Sequence, residues 1–203
     1  MNDLRRIKGE RTRRRIMTSA SKLLDEKGVK GLSTRNIARA AGLSQSSLYH
    51  HFEDLDAILF ETMMAKTRAV LEIAGSQNSE SLEDYFKALF EFILAGVKPD
   101  HAAKGYFTIF DRAMHDPVFY NRLVKMSRDL QAELLENIQR VLGKPIAPET
   151  LELIGFGLNL LREGFLSHIH IHRQESPVKA PEDLARELFG LYGRWMEQLA
   201  HAS

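Results

Sequence analysis

The chain has 203 residues, of which 44% are hydrophobic and 27% charged, and its formal net charge is +1. This composition is ordinary for a globular protein, and the length allows one large or two small domains. The sequence contains no cysteine, which excludes disulfides and thiolate metal sites, and it has no apolar run near the roughly 20 residues of a membrane span.

Basic residues are concentrated in the N-terminal quarter of the chain. Residues 1–52 contain 12 Lys and Arg against 4 Asp and Glu, a net charge of +8, and the remaining residues contain 16 against 23, a net charge of −7. Such an asymmetry indicates a polyanionic partner for the basic part. No apolar stretch of about 7–15 residues follows the basic N-terminus, so we expect no secretory signal and a cytoplasmic protein.

A cluster of cations lies before and within the first predicted helix. Such a cluster can neutralise DNA phosphates and release their counterions, and the alternative is a helix face that is simply solvated. Its members are Arg5, Arg6, Lys8, Arg11, Arg13, Arg14 and Arg15.

A short helix is predicted to begin after Ser33, whose hydroxyl can accept a hydrogen bond from a free N–H of the first turn. Its apolar stripe is narrow and includes small residues, which permit close contact with another helix. The stripe consists of Ile37, Ala38 and Ala41. Gly42 follows at the position where helices commonly end in a left-handed residue.

A second short helix is predicted directly after this turn. Ser44 can cap its first turn, Leu43 fills the corner, and Leu48 and Phe52 form a buried edge at a spacing of four residues. Two short helices joined by a tight glycine turn indicate a helix-turn-helix, whose second helix enters the major groove of DNA.

The second helix carries uncharged or weakly basic side chains on the face away from its apolar edge. Gln pairs well with adenine edges, Ser pairs with several bases, and Tyr, Ser and His contact phosphate oxygens. These residues are Gln45, Ser46, Ser47, Tyr49, His50 and His51. The alternative is a polar amphipathic helix in some other helical bundle.

The segment from Gly9 to Leu59 resembles the DNA-binding domain of the TetR family of bacterial transcriptional regulators. The resemblance rests on a first helix closed by Gly28, then on the ordered segments STRNIARAAGLS and LYHHF. The inward residues of that first helix are Ile16, Ala20, Leu23 and Leu24. One position departs from the family, because Leu55 stands where these proteins usually have a lysine that contacts phosphate.

The resemblance implies specific DNA contacts. Arg35 and Gln45 fall where the family often contacts bases, with Ser46 beside them, and His50 can contact either bases or phosphate. Phosphate contacts are implied for Thr34, Ser47, Tyr49 and His51. Together with Ser33, these nine residues form the predicted DNA-binding set.

The rest of the chain is predicted to be helical, which makes the protein all-α. We expect a helix-turn-helix DNA-binding domain over residues 1–53 and an effector-binding and dimerisation bundle over 54–203. A turn is expected at 75–81, a break at 98–100 and a loop at 174–179. The C-terminal helices are predicted at 54–74, 82–97, 102–114, 117–142, 148–172 and 181–200, where Pro117 and Pro181 are typical first helical residues.

Aromatic and Met side chains are dense in the C-terminal part, and they are either bundle core or the lining of a ligand pocket. The resemblance implies such a pocket for a largely apolar effector. The predicted lining consists of Met63, Phe90, Phe107, Phe110, Met114, Phe156 and Leu160, with Asn159 and Arg162 as polar anchors. The alternative for Arg162 is an ion pair with Glu163 or with another helix.

The last two predicted helices are candidates for self-association. Gly155, Gly157 and Gly164 each weaken a helix by about 1 kcal/mol relative to Ala, which is reasonable where another helix approaches closely. The resemblance implies a homodimer formed through these two helices. The apolar face expected to extend into that interface consists of Leu151, Ile154, Leu158, Leu161 and Phe165.

Three imidazoles near residue 170 suggest an alternative chemistry. His168 and His172 are four residues apart and could share a metal, with a third ligand from Glu163 or His201. His170 lies between them. The alternative is that the imidazoles only complement the dipole of a helix C-terminus, and we predict no metal site.

The sequence therefore predicts a DNA-binding transcriptional regulator, in particular a ligand-released repressor that binds a palindromic operator as a homodimer. The alternative is an architectural DNA-binding protein without sequence specificity. An enzyme is disfavoured because the sequence has no Gly-rich phosphate loop, no GxSxG, no paired carboxylates and no CxxC. We expect no cofactor.

Overall fold

A computed structural model of the protein describes residues 2–76, 79–96, 99–171 and 179–202. Within these ranges there are only helices and connecting turns, which confirms the all-α prediction. None of the described helices is both long and apolar enough to cross a membrane. The helices are α1 Asn2–Lys27, α2 Thr34–Ala41, α3 Gln45–Tyr49, α4 Leu55–Ser76, α5 Leu82–Gly96, α6 Pro99–His115, α7 Pro117–Leu142, α8 Pro148–Ile171 and α9 Pro181–Ala202, with a 3₁₀ turn at Val29–Gly31.

The predicted helix order is correct, and the differences lie at the helix ends. Pro99 is the first residue of α6, within the segment where we predicted a break. This placement agrees with the tolerance of proline in the first helical turn, where its missing N–H is not needed. At Asp116 the predicted start is confirmed, because its carboxylate accepts hydrogen bonds from the backbone N–H groups of Val118 and Phe119, each at 3.0 Å.

The chain divides into two compact units. The first comprises Met1–Lys66 and Lys104–Met126, and the second comprises Thr67–Ala103 and Ser127–Ser203. Helices α4, α6 and α7 each contribute residues to both units. Compact units need not coincide with functional domains, so the boundary between residues 53 and 54 stays a prediction.

The core of the first unit lies between α1 and the helix-turn-helix. Ile16 and Ala20 of α1 are fully buried, as are Ile37 of α2 and Leu48 of α3. The predicted inward faces of these helices are therefore correct. A second contact links α4 to α7, where the rings of Phe60 and Phe119 have centroids 4.9 Å apart.

The core of the second unit is built mainly from α5, α8 and α9. Phe90 of α5 is fully buried and packs on Phe189 of α9 and Phe165 of α8, with centroids at 4.7 Å and 4.9 Å. Tyr192 donates a hydrogen bond to the carbonyl of Ile154 at 2.8 Å, and burial raises the pKa of Tyr192 to about 12. These contacts fasten α9 to both α5 and α8.

Two of the three α8 glycines have a different role from the one predicted. A Cβ on Gly157 would lie 2.3 Å from the Tyr192 hydroxyl, and one on Gly155 would lie 2.9 Å from Gln131 of α7. Both glycines therefore accommodate side chains of their own chain. A Cβ added to Gly164 would have no atom of the described structure within 4 Å.

The predicted self-association face of α8 also requires correction. Ile154, Leu158 and Phe165 are 0%, 5% and 9% exposed and belong to the core of the second unit. Helical periodicity identified an apolar face correctly, but it does not distinguish a face that packs within the chain from one that packs on a partner. Among the α8 side chains that the structure describes, the large apolar ones that are exposed are Leu153, Phe156 and Leu160.

The closest approach of α9 to α5 gives a test of the second unit. A Cβ on Gly193 would lie 2.6 Å from the Leu82 carbonyl oxygen and 2.7 Å from backbone atoms of Glu83. Because backbone cannot rotate away, we expect Gly193→Ala to reduce the free energy of unfolding by roughly 1–3 kcal/mol. Gly164→Ala is the matched control and should raise it by about 0.5–1 kcal/mol through helix propensity. Urea unfolding measures both, and equal midpoints would contradict the packing argument.

Candidate DNA-binding surface

The helix-turn-helix is held in place by local hydrogen bonds that the sequence predicted. The Ser33 hydroxyl accepts from the N–H of Asn36 at 3.1 Å, and the Ser44 hydroxyl accepts from the N–H of Ser47 at 3.1 Å. Gly42 adopts a left-handed conformation with φ 63°. Both predicted N-caps and the predicted glycine turn are therefore confirmed.

Helix α3 presents a polar face to solvent above a buried apolar edge. Gln45 and Ser46 are exposed, and Tyr49 is 52% exposed. On the opposite side, Leu48 is fully buried and Phe52 is 3% exposed. This separation leaves the predicted base-reading side chains accessible to a groove of DNA.

The other predicted DNA contacts on and after α3 differ in accessibility. Ser47 and His51 are half-buried, whereas His50 is exposed and is the C-terminal cap of α3. The Ser46 hydroxyl lies 2.9 Å from the Ser44 hydroxyl. This contact orients Ser46 along the first turn of α3.

Helix α2 contributes its N-terminal turn to the same unit. Arg35 is exposed, Thr34 is half-buried, and the hydroxyl oxygen of Ser33 is already used as the cap. All nine predicted DNA-binding residues lie in the first unit. Their individual contacts with DNA stay predictions.

Arg13 of α1 connects the end of the recognition helix to α4. Its guanidinium donates hydrogen bonds to the backbone carbonyl of His51 and to the carboxylate of Glu61. It also lies over the ring of Phe52, 4.1 Å from the centroid. We call this set of contacts the Arg13 bridge. Arg13 was predicted to face phosphates, but here it makes three contacts within the protein.

Arg15, also on α1, makes a similar contact with the end of α2. Its guanidinium donates to the carbonyl of Ala41, the last residue of α2. A positive group at a helix C-terminus satisfies a free carbonyl and complements the helix dipole. Arg13 therefore binds the chain just after α3, and Arg15 binds the C-terminal end of α2.

The acidic residues at the start of α4 are neutralised within the first unit. The two terminal nitrogens of the Arg112 guanidinium donate to the two carboxylate oxygens of Asp56, at 2.6 Å and 2.5 Å. Arg122 donates to both oxygens of Asp54, at 2.9 Å and 2.8 Å. Hydrogen bonding to these carboxylates raises the pKa of Arg112 and of Arg122. The pairs reduce negative charge next to Leu55, where the family usually has a cation.

The predicted effector-lining residues are divided between the two units. In the first unit, Met63 of α4 is half-buried, and three residues of α6 are exposed. Their exposed fractions are 36% for Phe107, 48% for Phe110 and 66% for Met114. In the second unit, Phe90 is part of the aromatic core.

The predicted lining residues on α8 have different surroundings. Phe156 and Leu160 are 59% and 53% exposed, and Asn159 is half-buried. Arg162 has a nitrogen 3.4 Å from a carboxylate oxygen of Glu163, which is the ion pair given by the alternative interpretation. The effector-binding role of these residues stays a prediction.

The histidine group lies only partly within the described structure. His168 is exposed on α8, the side chain of His170 lies outside the described part of the chain, and His172 lies outside the described residues. Among the residues that the structure describes, no three His, Cys, Asp or Glu side chains are grouped to hold a metal ion.

The comparison with protein families identifies the helix-turn-helix segment. Residues 16–62 match the family described as bacterial regulatory proteins, tetR family. The match begins within α1 and ends within α4, so it contains the complete helix-turn-helix and the residues that pack behind it. Residues 16–62 are therefore similar to the DNA-binding segment of TetR-family transcriptional regulators. TetR-family regulators are a DNA-binding and ligand-responsive family.

Similarity extends beyond the matched segment. An uncharacterized HTH-type transcriptional regulator of Haemophilus influenzae is 31% identical over 98 residues. The aligned segment is 43% of this chain and 48% of the Haemophilus protein, so the chain spans about half the length of that relative. The HTH-type transcriptional regulator BetI of Escherichia coli is 27% identical over 157 residues, 75% of this chain and 78% of BetI.

A crystal structure shows a similar fold over most of the chain. It is that of a Mesorhizobium loti protein assigned to the TetR family, with a TM-score of 0.65 and 18% sequence identity. The superposition covers 94% of this chain and 97% of the other. The similarity in fold therefore extends well outside the helix-turn-helix.

Sequence reasoning did not find the arginines that organise this surface. The Arg13 bridge joins residues 38 and 48 positions apart, and nothing in the run of basic residues distinguishes Arg13 from its neighbours. A signal did exist for Arg112 and Arg122. Two aspartates beside a predicted phosphate-binding segment require cations to neutralise them, although the sequence does not say which.

The Arg13 bridge gives a test of how the recognition helix is positioned. The ion pair with Glu61 is about 40% exposed on both sides, and such pairs contribute only about 0–1 kcal/mol. We therefore expect Glu61→Gln to have a small effect. Arg13→Ala also removes the hydrogen bond to the His51 carbonyl and the contact with Phe52, and it should cost about 1–2 kcal/mol of stability.

The measurements are chemical unfolding and the ratio of operator affinity to random-duplex affinity. Arg13→Ala should lower this ratio because α3 is held less firmly. If Glu61→Gln were as damaging as Arg13→Ala, the surface ion pair would be the dominant contact, and the bridge as described would be wrong.

Proposed function

We propose that this protein is a TetR-family repressor that binds a palindromic operator as a homodimer and is released by a small-molecule effector in the cytoplasm. The single observation that carries the proposal is α3, a capped recognition helix with exposed polar side chains above a buried edge. A helix of this kind docks in the major groove, and two copies on a symmetric dimer read two half-sites about one helical turn apart.

The dimer proposal is supported by apolar side chains on the solvent face of α8 and α9. On α8 they recur at positions three and four residues apart, and on α9 they follow the same helical spacing. Their exposed fractions range from 44% to 62%. The residues are Leu153, Phe156, Leu160, Leu184, Leu188, Leu191 and Trp195.

Exposed large apolar side chains that recur at helical spacing are typical of a protein interface when they form one patch. A second copy of this chain is the occupant that fits best, because a twofold interface needs one self-complementary surface. Under this proposal Phe156 and Leu160 belong to the dimer surface instead of the effector pocket.

The effector proposal rests on the family and on the predicted lining residues that remain. We propose a largely apolar molecule contacted by side chains of the first unit, among Met63, Phe107, Phe110 and Met114. The effector changes DNA affinity only if it binds one conformation more tightly, with a coupling free energy of about 1–3 kcal/mol. We propose that it acts by moving α4, and so the separation of the two recognition helices.

The alternative function is an architectural DNA-binding protein without sequence specificity. It would bind all duplexes alike and lose its affinity at moderate salt, whereas an operator-binding regulator keeps a large specificity ratio. Selection of bound fragments from genomic DNA distinguishes the two functions. Recovery of random fragments would favour the architectural protein.

Base reading by α3 is tested with one pair of variants. We expect Gln45→Ala to lose discrimination at one operator position, by about 1–3 kcal/mol, because Gln45 is placed to contact a base edge. Tyr49→Phe should weaken all sequences by a similar factor, because a phosphate contact carries no sequence information. The measurement is the affinity of each variant for a set of operators that are substituted one position at a time. If Gln45→Ala lost the same affinity on every duplex, Gln45 would not read a base.

The proposed interface is tested by charge insertion. Trp195→Glu places a carboxylate at the most exposed of these apolar side chains and should yield a monomer with roughly tenfold weaker operator binding. Tyr120→Glu is the matched control, because Tyr120 is 52% exposed but lies in the first unit. Sedimentation velocity measures the assembly, and a dimer that survived Trp195→Glu would place the interface elsewhere.

A further inference from the structure

The arginines of α1 fall into two groups according to their contacts. Arg13 and Arg15 donate to the carbonyls of His51 and Ala41. Arg11 and Arg14 are both exposed, and in the described part of the chain neither has an acidic partner within 4 Å or a side-chain hydrogen bond. Two arginines therefore position the helix-turn-helix, and two retain all their donors for an external anion.

Arg11 and Arg14 lie along a groove on the surface of the first unit. The groove is open to solvent and has a volume of about 620 Å³. Among the residues that the structure describes, no Asp or Glu lines it. Its lining comprises Arg11, Arg14, Arg15, Thr18 and Ser19 of α1, with Ala40, Ala41 and Gly42 at the end of α2.

The side chains of this groove are suited to an oxyanion. Arg11, Arg14 and Thr18 recur at intervals of three and four residues, so they lie on one face of α1. Guanidinium groups and hydroxyls are the usual donors to phosphate oxygens. Lys8 precedes Arg11 by one further turn and is exposed, which extends the same positive face.

The location of the groove favours DNA over a small free anion. Its lining includes Gly42, two residues before Ser44, which is the N-cap of α3. An open groove leaves a small ion exposed to water, whereas a polymer can be held at several points along it. A net charge of +8 over residues 1–52 further favours a polyanion.

We propose that Arg11 and Arg14 contact DNA phosphates from this groove, in addition to the contacts made by α3. This inference rests on the proposed function, since it assumes that α3 docks on duplex DNA. A phosphate contact adds affinity for any sequence and makes that affinity depend on salt. The groove thus supplies affinity, and α3 supplies the choice of sequence.

The test is the salt dependence of binding by Arg11→Gln/Arg14→Gln, measured against an operator duplex and a random duplex. The slope of log affinity against log salt should become less steep by about 0.9 for each phosphate that the variant no longer neutralises. Both duplexes should lose affinity by the same factor, so that the ratio between them stays constant. Unfolding midpoints equal to that of the wild type confirm that the double variant is folded.

Two control variants sharpen the result. Arg128→Gln removes an exposed arginine of the second unit and should leave the slope unchanged, which excludes an effect of net charge alone. Arg13→Gln should lower the operator-to-random ratio with little change in slope, because Arg13 acts within the protein.

Three results would overturn the inference. The first is a wild-type slope in the double variant, and the second is an equal loss of slope in Arg13→Gln. The third is evidence that the groove holds a small anion instead of DNA. In that case inorganic phosphate, added at constant ionic strength, would raise the unfolding temperature of the wild type but not of the double variant, and the two proteins would have the same dependence of DNA affinity on salt. Failure of the proposed function can be distinguished from failure of this inference. A wild type that shows no operator preference would still have a measurable salt dependence on random DNA, and the effect of the double variant on that dependence could still be read.

Discussion

The DNA-binding surface depends on α1 as the support for a recognition helix that cannot maintain its own conformation. Helix α3 has only five residues, Gln45–Tyr49, and an isolated helix of that length is unstable in water. What holds it is the Ser44 cap before it, the burial of Leu48 beneath it and the Arg13 bridge after it. A base-reading side chain is useful only if its helix is rigid, so the sequence recognition that we propose for α3 would depend on Arg13 of α1, which contacts the protein itself.

A second constraint is electrostatic and lies at the start of α4. Asp54 and Asp56 begin that helix, where carboxylates complement the helix dipole but are poorly placed beside a polyanion. Arg122 and Arg112 resolve this conflict by pairing with them. Both arginines come from the segment 104–126, which packs in the first unit although it lies some 50 residues or more further along the chain. The DNA-binding unit therefore includes parts of α6 and α7, and a change in those helices acts on the start of α4 directly.

Much of the fold could be predicted from the sequence because its signals are local. Caps, prolines at helix starts and glycines at positive φ act within a few residues, so α2, α3 and α7 were placed correctly. The partners of charged side chains could not be predicted, because they depend on how helices pack. Arg13 and Arg14 are adjacent in the sequence, yet one is committed to contacts within the protein and the other is exposed. The side of α1 on which each arginine lies decides which of them contacts the protein. That side can be known only from the way the neighbouring helices pack around α1.

The apolar residues of α8 show a related limit of prediction from sequence. Helical periodicity identified an apolar face correctly, but that face packs in the core of the second unit and not on a partner. Ile154 and Leu158 lie on one side of the helix and Phe156 and Leu160 on another, so α8 is apolar around much of its circumference. Such a helix is expected where two surfaces are covered. One side packs on α9 through the hydrogen bond from Tyr192 and the close fit at Gly157. The other side remains exposed in the single chain, and leaving that much apolar surface in water is unfavourable by roughly 25 cal/mol for each Å². The same helix thus contributes to the core of the chain and exposes the apolar surface on which the proposed dimer rests.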